Sequence, residues 1–117
     1  MDIEVIRTHC ISKQQVSESF PFDDDTLVFK VAGKMFALIS LKKNSFVNLK
    51  CDPERAVELR EQFHAVQPGY HMSKTHWNSV YFNEDLDDKT ILELVDHSYE
   101  LVVKSLPKKL QATFIIN

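Results

Sequence analysis

The stretch LVFKVAGKMFALISLKKNSFVNLK, residues 27–50, decides the fold of this 117-residue chain. At its start apolar residues alternate with others, so that Leu27, Phe29 and Val31 share one side of a strand and Lys30 lies on the other. Two short breaks containing Gly, Lys, Asn and Ser interrupt the apolar pattern, as turns do. The predicted strands are 27–32, 34–41 and 46–50. Because short turns join antiparallel neighbours, the stretch predicts a three-stranded meander.

Helices are predicted on both sides of the meander, from the helical spacing of apolar residues and from residues that cap helix starts. Asp2 begins the first helix, and Asp52 followed by Pro53 is typical of the start of the second. Either Asp87 or Asp88 caps the last one. Aromatic residues after the second helix predict a fourth strand. The predicted helices are 2–12, 53–64 and 87–107, and the fourth strand is 76–82.

Turns are predicted in the segments between these helices and strands. Residues 13–26 are polar and end in FPFDDDT, where Pro21 and the run of Asp cannot continue a helix. Pro68 with Gly69 predicts a second turn. The element order α-βββ-α-β-α predicts an α+β fold, in which helices pack on one face of an antiparallel sheet. The other face of such a sheet can stay open to solvent.

Composition places the chain among single-domain proteins that bury a core. Leu, Ile, Val and Phe make up 37 of the 117 residues, well above the level at which disorder is expected. No apolar run approaches the ~18 residues that a membrane span needs. The first residues, MDIEVIRTHC, carry acids where a signal peptide carries positive charge. We therefore expect a soluble cytoplasmic protein with one domain at 1–110 and a tail at 111–117.

The charge is unevenly distributed along the chain, although its net value is only −3. Residues 26–51 contain five lysines and no acid, and residues 62–83 contain Lys74 and three histidines but no acid. One interpretation is a positive face that contacts an anionic partner. The other is that Asp and Glu are scarce there because they are poor strand formers. The sequence leaves both open.

Signals for a metal, a cofactor or catalysis are weak. Cys10 and Cys51 are far apart in the chain and predict two buried thiols rather than a disulfide. His71 and His76 lie five residues apart without a Cys or carboxylate between them, which is a weak metal pattern. The aspartates at 23–25 fit a capping or turn role better than a cation site. We expect a protein that is not an enzyme and that holds no metal or cofactor.

Several segments carry a resemblance to a known family: FPF (20–22), FKVAGKMFALI (29–39), NLKCDPERAVELRE (48–61), VQPGYHMSKTHWNSV (66–80) and HSYELVVKSLPKKL (97–110). On these segments the chain resembles the MmcQ/YjbR family of small bacterial proteins. The resemblance implies a fold similar to that of CyaY, the bacterial frataxin homologue. It also implies a DNA-binding role through a "double wing", whose tips would be the turns Ala32–Gly33 and Lys42–Ser45.

Basic and aromatic side chains in these segments are the candidates for contact with DNA, because lysines bind phosphate and aromatic rings stack on bases. The candidate nucleic-acid-binding residues are Lys30, Lys34, Lys42, Lys43, Lys50, Lys74, His76 and Trp77. For Lys42 and Lys43 a solvated turn is the simpler interpretation. Trp77 is equally suited to the edge of the core.

A second class of function stays open. Residues 68–78 bring aromatic and basic side chains together, and they can form the rim of a pocket in a protein- or small-ligand-binding module. A continuous positive face across both hairpins would favour DNA. A concave aromatic pocket with dispersed lysines would favour the ligand-binding module.

Overall fold

The sheet is antiparallel throughout, and helices pack against one of its two faces. The computed structural model describes residues 1–114. Its elements in chain order are α1 (Ile3–Ile11), β1 (Val16–Ser19), β2 (Thr26–Val31), β3 (Lys34–Ser40), β4 (Phe46–Lys50), α2 (Pro53–Gln62), β5 (Val66–Pro68), β6 (Trp77–Tyr81), α3 (Asp88–Ser105) and α4 (Lys108–Gln111). The strands form one sheet in the order β1-β2-β3-β4-β6-β5. The predicted α+β fold is confirmed.

Local signals place the first three helices close to where the sequence predicts them. The carboxylates of Asp2, Asp52 and Asp87 cap α1, α2 and α3, each by accepting the N–H three residues further along. α2 ends at Gln62, two residues earlier than predicted, because Phe63 takes extended backbone angles. Of the predicted tail, residues 115–117 lie outside the described part of the chain.

Two strands occupy segments for which the sequence predicts turns. β1, with the sequence VSES, has a single apolar residue, and it is held by pairing with β2 and by the contact between Glu18 and Arg7 of α1. β5 has three residues and ends in Pro68, which is tolerated because β5 is an edge strand. Both strands depend on partners distant in sequence, so their own composition does not reveal them.

The main core lies between the sheet and the helices, on the side called the helix face. Leu27, Phe29 and Val31 are buried in this core, as their alternation predicts. The buried residues of α3 lie against it: Ile91, Leu94, Val95, Ser98 and Val102. The Ser98 hydroxyl donates to the Phe36 carbonyl over 2.5 Å and accepts the Lys50 N–H over 2.9 Å, so this buried polar group is satisfied.

The opposite side of the sheet, called the open face, is covered in part. Val28, Leu38 and Trp77 form a second buried cluster there, and Met35 and Met72 pack against it. Met72 belongs to the loop between β5 and β6, residues 69–76, which folds over this face. The open face is therefore not exposed along its whole length.

No helix among residues 1–114 is both long and apolar enough to cross a membrane.

Candidate functional site

The 69–76 loop is closed at its neck by two residues in very close contact. The Gly69 N–H donates to the Trp77 carbonyl over 2.9 Å. A Cβ at Gly69 would lie 2.8 Å from the Trp77 Cβ and 2.9 Å from its carbonyl oxygen, closer than such atoms approach. The absence of a side chain at Gly69, in the Pro68-Gly69 pair, therefore permits this close approach.

Arg60 of α2 holds the same neck from the helix side. Its Nε donates to the Asn78 Oδ1 over 2.6 Å, and its guanidinium also donates to the carbonyls of Trp77 and Lys74. The Asn78 amide in turn donates to the Ala56 carbonyl of α2. One arginine thus links α2, the 69–76 loop and β6.

The other side of the loop is tied to the open face through buried polar groups. The Asn48 amide donates to the Tyr70 carbonyl over 3.0 Å, and the Tyr70 N–H donates to the Ser79 hydroxyl over 2.9 Å. The Ser79 hydroxyl donates to the Asn48 Oδ1 over 2.5 Å. These bonds fix Tyr70 relative to β4 and β6.

A groove of about 660 Å³ lies on the open face beside this loop. Its floor is formed by sheet residues: Met35, Leu38, Phe46 and Asn48. One side, called the acidic wall, consists of Phe22, Asp23, Asp25, Thr26 and Ser40. The other side, called the loop wall, consists of Lys43, Tyr70, His71, Met72 and Ser73.

The carboxylates of the acidic wall are engaged by neighbouring groups. Asp23 accepts the N–H groups of Thr26 over 2.6 Å and Asp25 over 2.9 Å. Asp25 accepts the Ser40 hydroxyl over 2.6 Å and the Lys42 N–H over 2.7 Å. These hydrogen bonds hold the pKa of both carboxyl groups below its ordinary value. Both are therefore ionised at neutral pH, and they stabilise the turns, as the sequence predicts for the Asp run.

The loop wall carries an ammonium group on an aromatic ring. The Lys43 Nζ lies 3.8 Å from the centroid of the Tyr70 ring, which is cation–π geometry. Phe46 meets Tyr70 edge to face, with 5.9 Å between ring centroids, and the rings of His71 and Tyr70 are also edge to face, with 4.1 Å between centroids. Among the salt bridges of the described residues, none involves Lys43.

The predicted lysines divide between the two ends of the sheet. Lys42 and Lys43 lie in the turn after β3, whereas Lys34 lies at its start, beside the Ala32–Gly33 turn. The seven residues of β3 separate these tips by roughly 20 Å. Lys30 and Lys50 lie on the open face, near the end of the sheet that carries Lys34. Lys30 points away from its neighbours Phe29 and Val31, which are buried on the helix face. Lys50 lies opposite Trp77, which is on the open face.

The remaining predicted residues belong to the 69–76 loop and its end. The Lys74 ammonium donates to the Gly69 carbonyl, so this lysine braces its own loop. His76 is exposed, and its carbonyl accepts the Cys51 N–H over 2.8 Å. Trp77 is buried in the open-face cluster, which agrees with the core interpretation of this residue.

Both cysteines are free and buried, as predicted. Burial raises the pKa of the Cys10 thiol to about 12 and that of the Cys51 thiol to about 11. Neither thiol is therefore activated as a nucleophile. Within the described residues, no three His, Cys, Asp or Glu side chains come together in a way that could hold a metal ion.

The sequence drew attention to residues 68–78 but not to the floor of the groove. The signal lay in residues 35–39, MFALI, which are apolar at every position rather than at alternate ones. A strand of this kind is covered on both faces. Met35 and Leu38 are the members of this run that line the groove.

Comparison with known sequences identifies relatives along most of the chain. The sequence pattern of the family described as YjbR matches residues 11–101. The Escherichia coli K12 protein named "Uncharacterized protein YjbR" is 36% identical over 110 residues, which cover 93% of each chain. "Uncharacterized protein YbdF" from Escherichia coli O157:H7 is 40% identical over 91 residues, covering 77% of this chain and 75% of that protein.

Solved structures share the fold. A crystal structure of a Deinococcus radiodurans protein with a DUF419 domain superposes with a TM-score of 0.86 at 36% identity, covering 94% of this chain and 85% of that one. A crystal structure of a protein from Pseudomonas syringae superposes with a TM-score of 0.73 at 28% identity, covering 86% of this chain and 98% of that one.

Proposed function

The chain belongs to the YjbR family, and from the geometry of its open face we propose that it is a non-enzymatic module that binds a small ligand in the groove. The observation that carries this proposal is the groove itself. Its volume of about 660 Å³ falls within the usual range of ligand pockets. Its lining combines aromatic and thioether side chains with a few polar groups, which is typical of such sites.

The groove is also held in shape without a ligand. Asn48 and Ser79 fix Tyr70 to the sheet, and Arg60 clamps the neck of the 69–76 loop. A wall that is already ordered loses little conformational entropy when a ligand binds.

The placement of the lysines favours the groove over a single basic DNA surface. The two turns that would be wing tips lie at opposite ends of the sheet. Lys42 is close enough to Asp23 and Asp25 for its charge to lower the pKa of both carboxyl groups, so its own charge is partly neutralised.

Fragment screening by two-dimensional NMR tests this proposal. Ligands should shift the amide signals of Met35, Phe46 and Tyr70–Ser73 together. Ser73→Trp should block binding by filling the groove, because Ser73 is an exposed lining residue. Thr75→Trp is the matched control, because Thr75 is exposed in the same loop but does not line the groove. Shifts located elsewhere, or equal binding by both variants, would overturn the proposal.

A second candidate function is DNA binding by a cytoplasmic protein, and one observation favours it. Lys30 and Lys50 project from the same face about 10 Å apart, two strand spacings, and Lys34 lies at the same end of the sheet. The other candidate contacts are Lys42, Lys43, Lys74 and His76, whereas Trp77 is buried.

A salt series with labelled duplex and single-stranded DNA tests this second candidate. If the three lysines at one end contact phosphates, replacing Lys30, Lys34 and Lys50 by Ala should reduce the slope of log K against log salt by about 3 on duplex DNA. The triple variant of Lys42, Lys43 and Lys74 tests the other tip and the loop. No binding of the unaltered protein at low salt would exclude DNA as its partner.

A further inference from the structure

The two walls of the groove differ in how many of their polar side chains already form hydrogen bonds within the protein. On the acidic wall, Asp23 accepts two backbone N–H groups and the Thr26 hydroxyl, and Asp25 accepts one backbone N–H and the Ser40 hydroxyl. The charge of nearby Lys42 offsets part of their negative charge. These acceptors are already engaged in holding the turns.

On the loop wall the donors are not engaged. The Lys43 ammonium contacts only the face of the Tyr70 ring, and neither the Ser73 hydroxyl nor the His71 ring hydrogen-bonds to another described residue. All three side chains are exposed and line the groove. A bound molecule that supplies acceptors can therefore use these donors without breaking a hydrogen bond of the protein.

Between the two walls lies an apolar floor. Met35, Leu38 and Phe46 form it, and Met72 borders it. Thioether side chains adapt to ligands of different shape and contact aromatic rings favourably. The floor therefore suits a flat ring or a short aliphatic chain.

We infer that the ligand of the groove is an apolar organic acid, with its carboxylate at Lys43 and its ring or alkyl body on the methionine-rich floor. This inference rests on the proposed function. A carboxylate gains charge-assisted hydrogen bonds from the Lys43 ammonium. An organic cation would have to displace that ammonium from Tyr70, and it would meet carboxylates whose oxygens are already hydrogen-bonded.

Titration with three matched probes tests the inference: 2-naphthoate, the neutral 2-naphthamide and the cationic 2-naphthylmethylamine. We expect naphthoate to bind at least tenfold more tightly than the other two. Lys43→Met should abolish this preference without weakening naphthamide, and Lys43→Arg should retain it. Lys34→Met, at the other end of the sheet, is the control and should change nothing. Octanoate in place of naphthoate distinguishes an aliphatic from an aromatic body.

The outcomes separate this inference from the proposed function. If naphthamide or the amine binds in the groove as tightly as naphthoate, the groove binds ligands but the preference for an acid is wrong. The same holds if Lys43→Met retains the preference. If none of the three naphthyl probes nor octanoate binds in the groove at millimolar concentration, both the proposed function and this inference are overturned.

Discussion

Gly69 and Trp77 approach each other so closely that only glycine fits at position 69. The Gly69 N–H bonds to the Trp77 carbonyl over 2.9 Å, and an added Cβ would lie 2.8 Å from that of Trp77. The buried indole packs with Val28 and Leu38 on the open face, so this contact joins the neck of the 69–76 loop to the floor of the groove.

Gly69→Ala should therefore destabilise the protein and displace the loop. The new methyl group overlaps the Cβ and the carbonyl oxygen of Trp77, which are fixed to the backbone and cannot move away as the end of a flexible side chain can. Overpacking of this kind costs about 1–3 kcal/mol. Urea denaturation gives the change in the free energy of unfolding. The amide signal of Tyr70 reports the loop, because its N–H bonds to Ser79.

Gly33→Ala is the control for this prediction. Gly33 has a φ of +82° but no atom within 4 Å of the added Cβ, so the substitution strains the backbone without a clash. It should lower stability and leave the Tyr70 signal unchanged. Equal displacement of that signal by both variants would contradict the role assigned to the Gly69 contact.

Arg60→Met should loosen the same neck from the helix side. The Asn78 Oδ1, in a residue only 2% exposed, loses its Arg60 donor, and the Trp77 carbonyl loses one of its donors while keeping the Gly69 N–H. An unsatisfied buried polar group costs about 1–3 kcal/mol, so we expect a loss of about 2 kcal/mol in urea denaturation. Hydrogen exchange at the Gly69 N–H should also become faster.

Arg55→Met provides the matched control on α2. Its side chain forms no hydrogen bond or salt bridge with another described residue. We expect a change within about 0.5 kcal/mol. If Arg55→Met lowers the free energy of unfolding as much as Arg60→Met does, the effect does not depend on the hydrogen bonds from Arg60 to the neck of the loop.

Ala32, in the turn between β2 and β3, is a position where a substitution should stabilise the protein. Ala32 and Gly33 both have positive φ, +49° and +82°, as a two-residue turn of type I′ requires. Alanine is strained there, whereas asparagine tolerates this conformation. Ala32→Asn should raise the free energy of unfolding by roughly 0.5–1 kcal/mol, because it relieves this strain. If Ala32→Asn instead lowers the free energy of unfolding, the backbone strain assigned to Ala32 does not reduce the stability of the protein.

Elements marked by local signals could be predicted from the sequence, and those set by distant contacts could not. Asp2, Asp52 and Asp87 cap helices through groups three residues away; the first two caps were predicted, and Asp87 was one of two candidates for the third. β1 and β5 are short edge strands that exist because β2 and β6 offer them partners. Nothing in their own residues requires an extended conformation.

The candidate site shows the same division. Trp77 of the motif at 66–80 is buried, which was one of the two interpretations that the sequence left open for it. The groove beside it depends on bonds that span 18 residues from Arg60 to Asn78 and 22 from Asn48 to Tyr70. Which face each lysine occupies follows from strand register, which one sequence does not determine.

Stability should fall as the pH drops through the range in which His97 titrates. The His97 Nε2 accepts the Asp52 N–H over 3.2 Å at the start of α2, so the ring is neutral and its proton lies on Nδ1. Burial, and then the charge of Arg55, lower the pKa of His97 below the ordinary value of 6.5, with Lys104 acting in the same direction and the carboxylates of Asp52 and Glu100 opposing them.

The sign of the effect follows from proton binding. Between the lowered pKa of the folded state and 6.5, the unfolded chain binds more protons, so the free energy of unfolding rises with pH. The contribution of His97 is complete above pH 6.5 and is lost as the pH falls through the lowered value. Carboxylates with a lowered pKa, such as Asp85, lose their contribution only at lower pH, as it falls below about 3.9.

Urea denaturation at pH 7.5 and pH 5 checks this prediction against His97→Gln. Glutamine offers an acceptor to the Asp52 N–H but does not titrate, so the variant should lose less stability than the unaltered protein between these two pH values. Equal losses in both proteins would assign the pH dependence to other groups. Because His97 of α3 accepts the N–H of Asp52 at the start of α2, its protonation should also speed hydrogen exchange at the Asp52 amide.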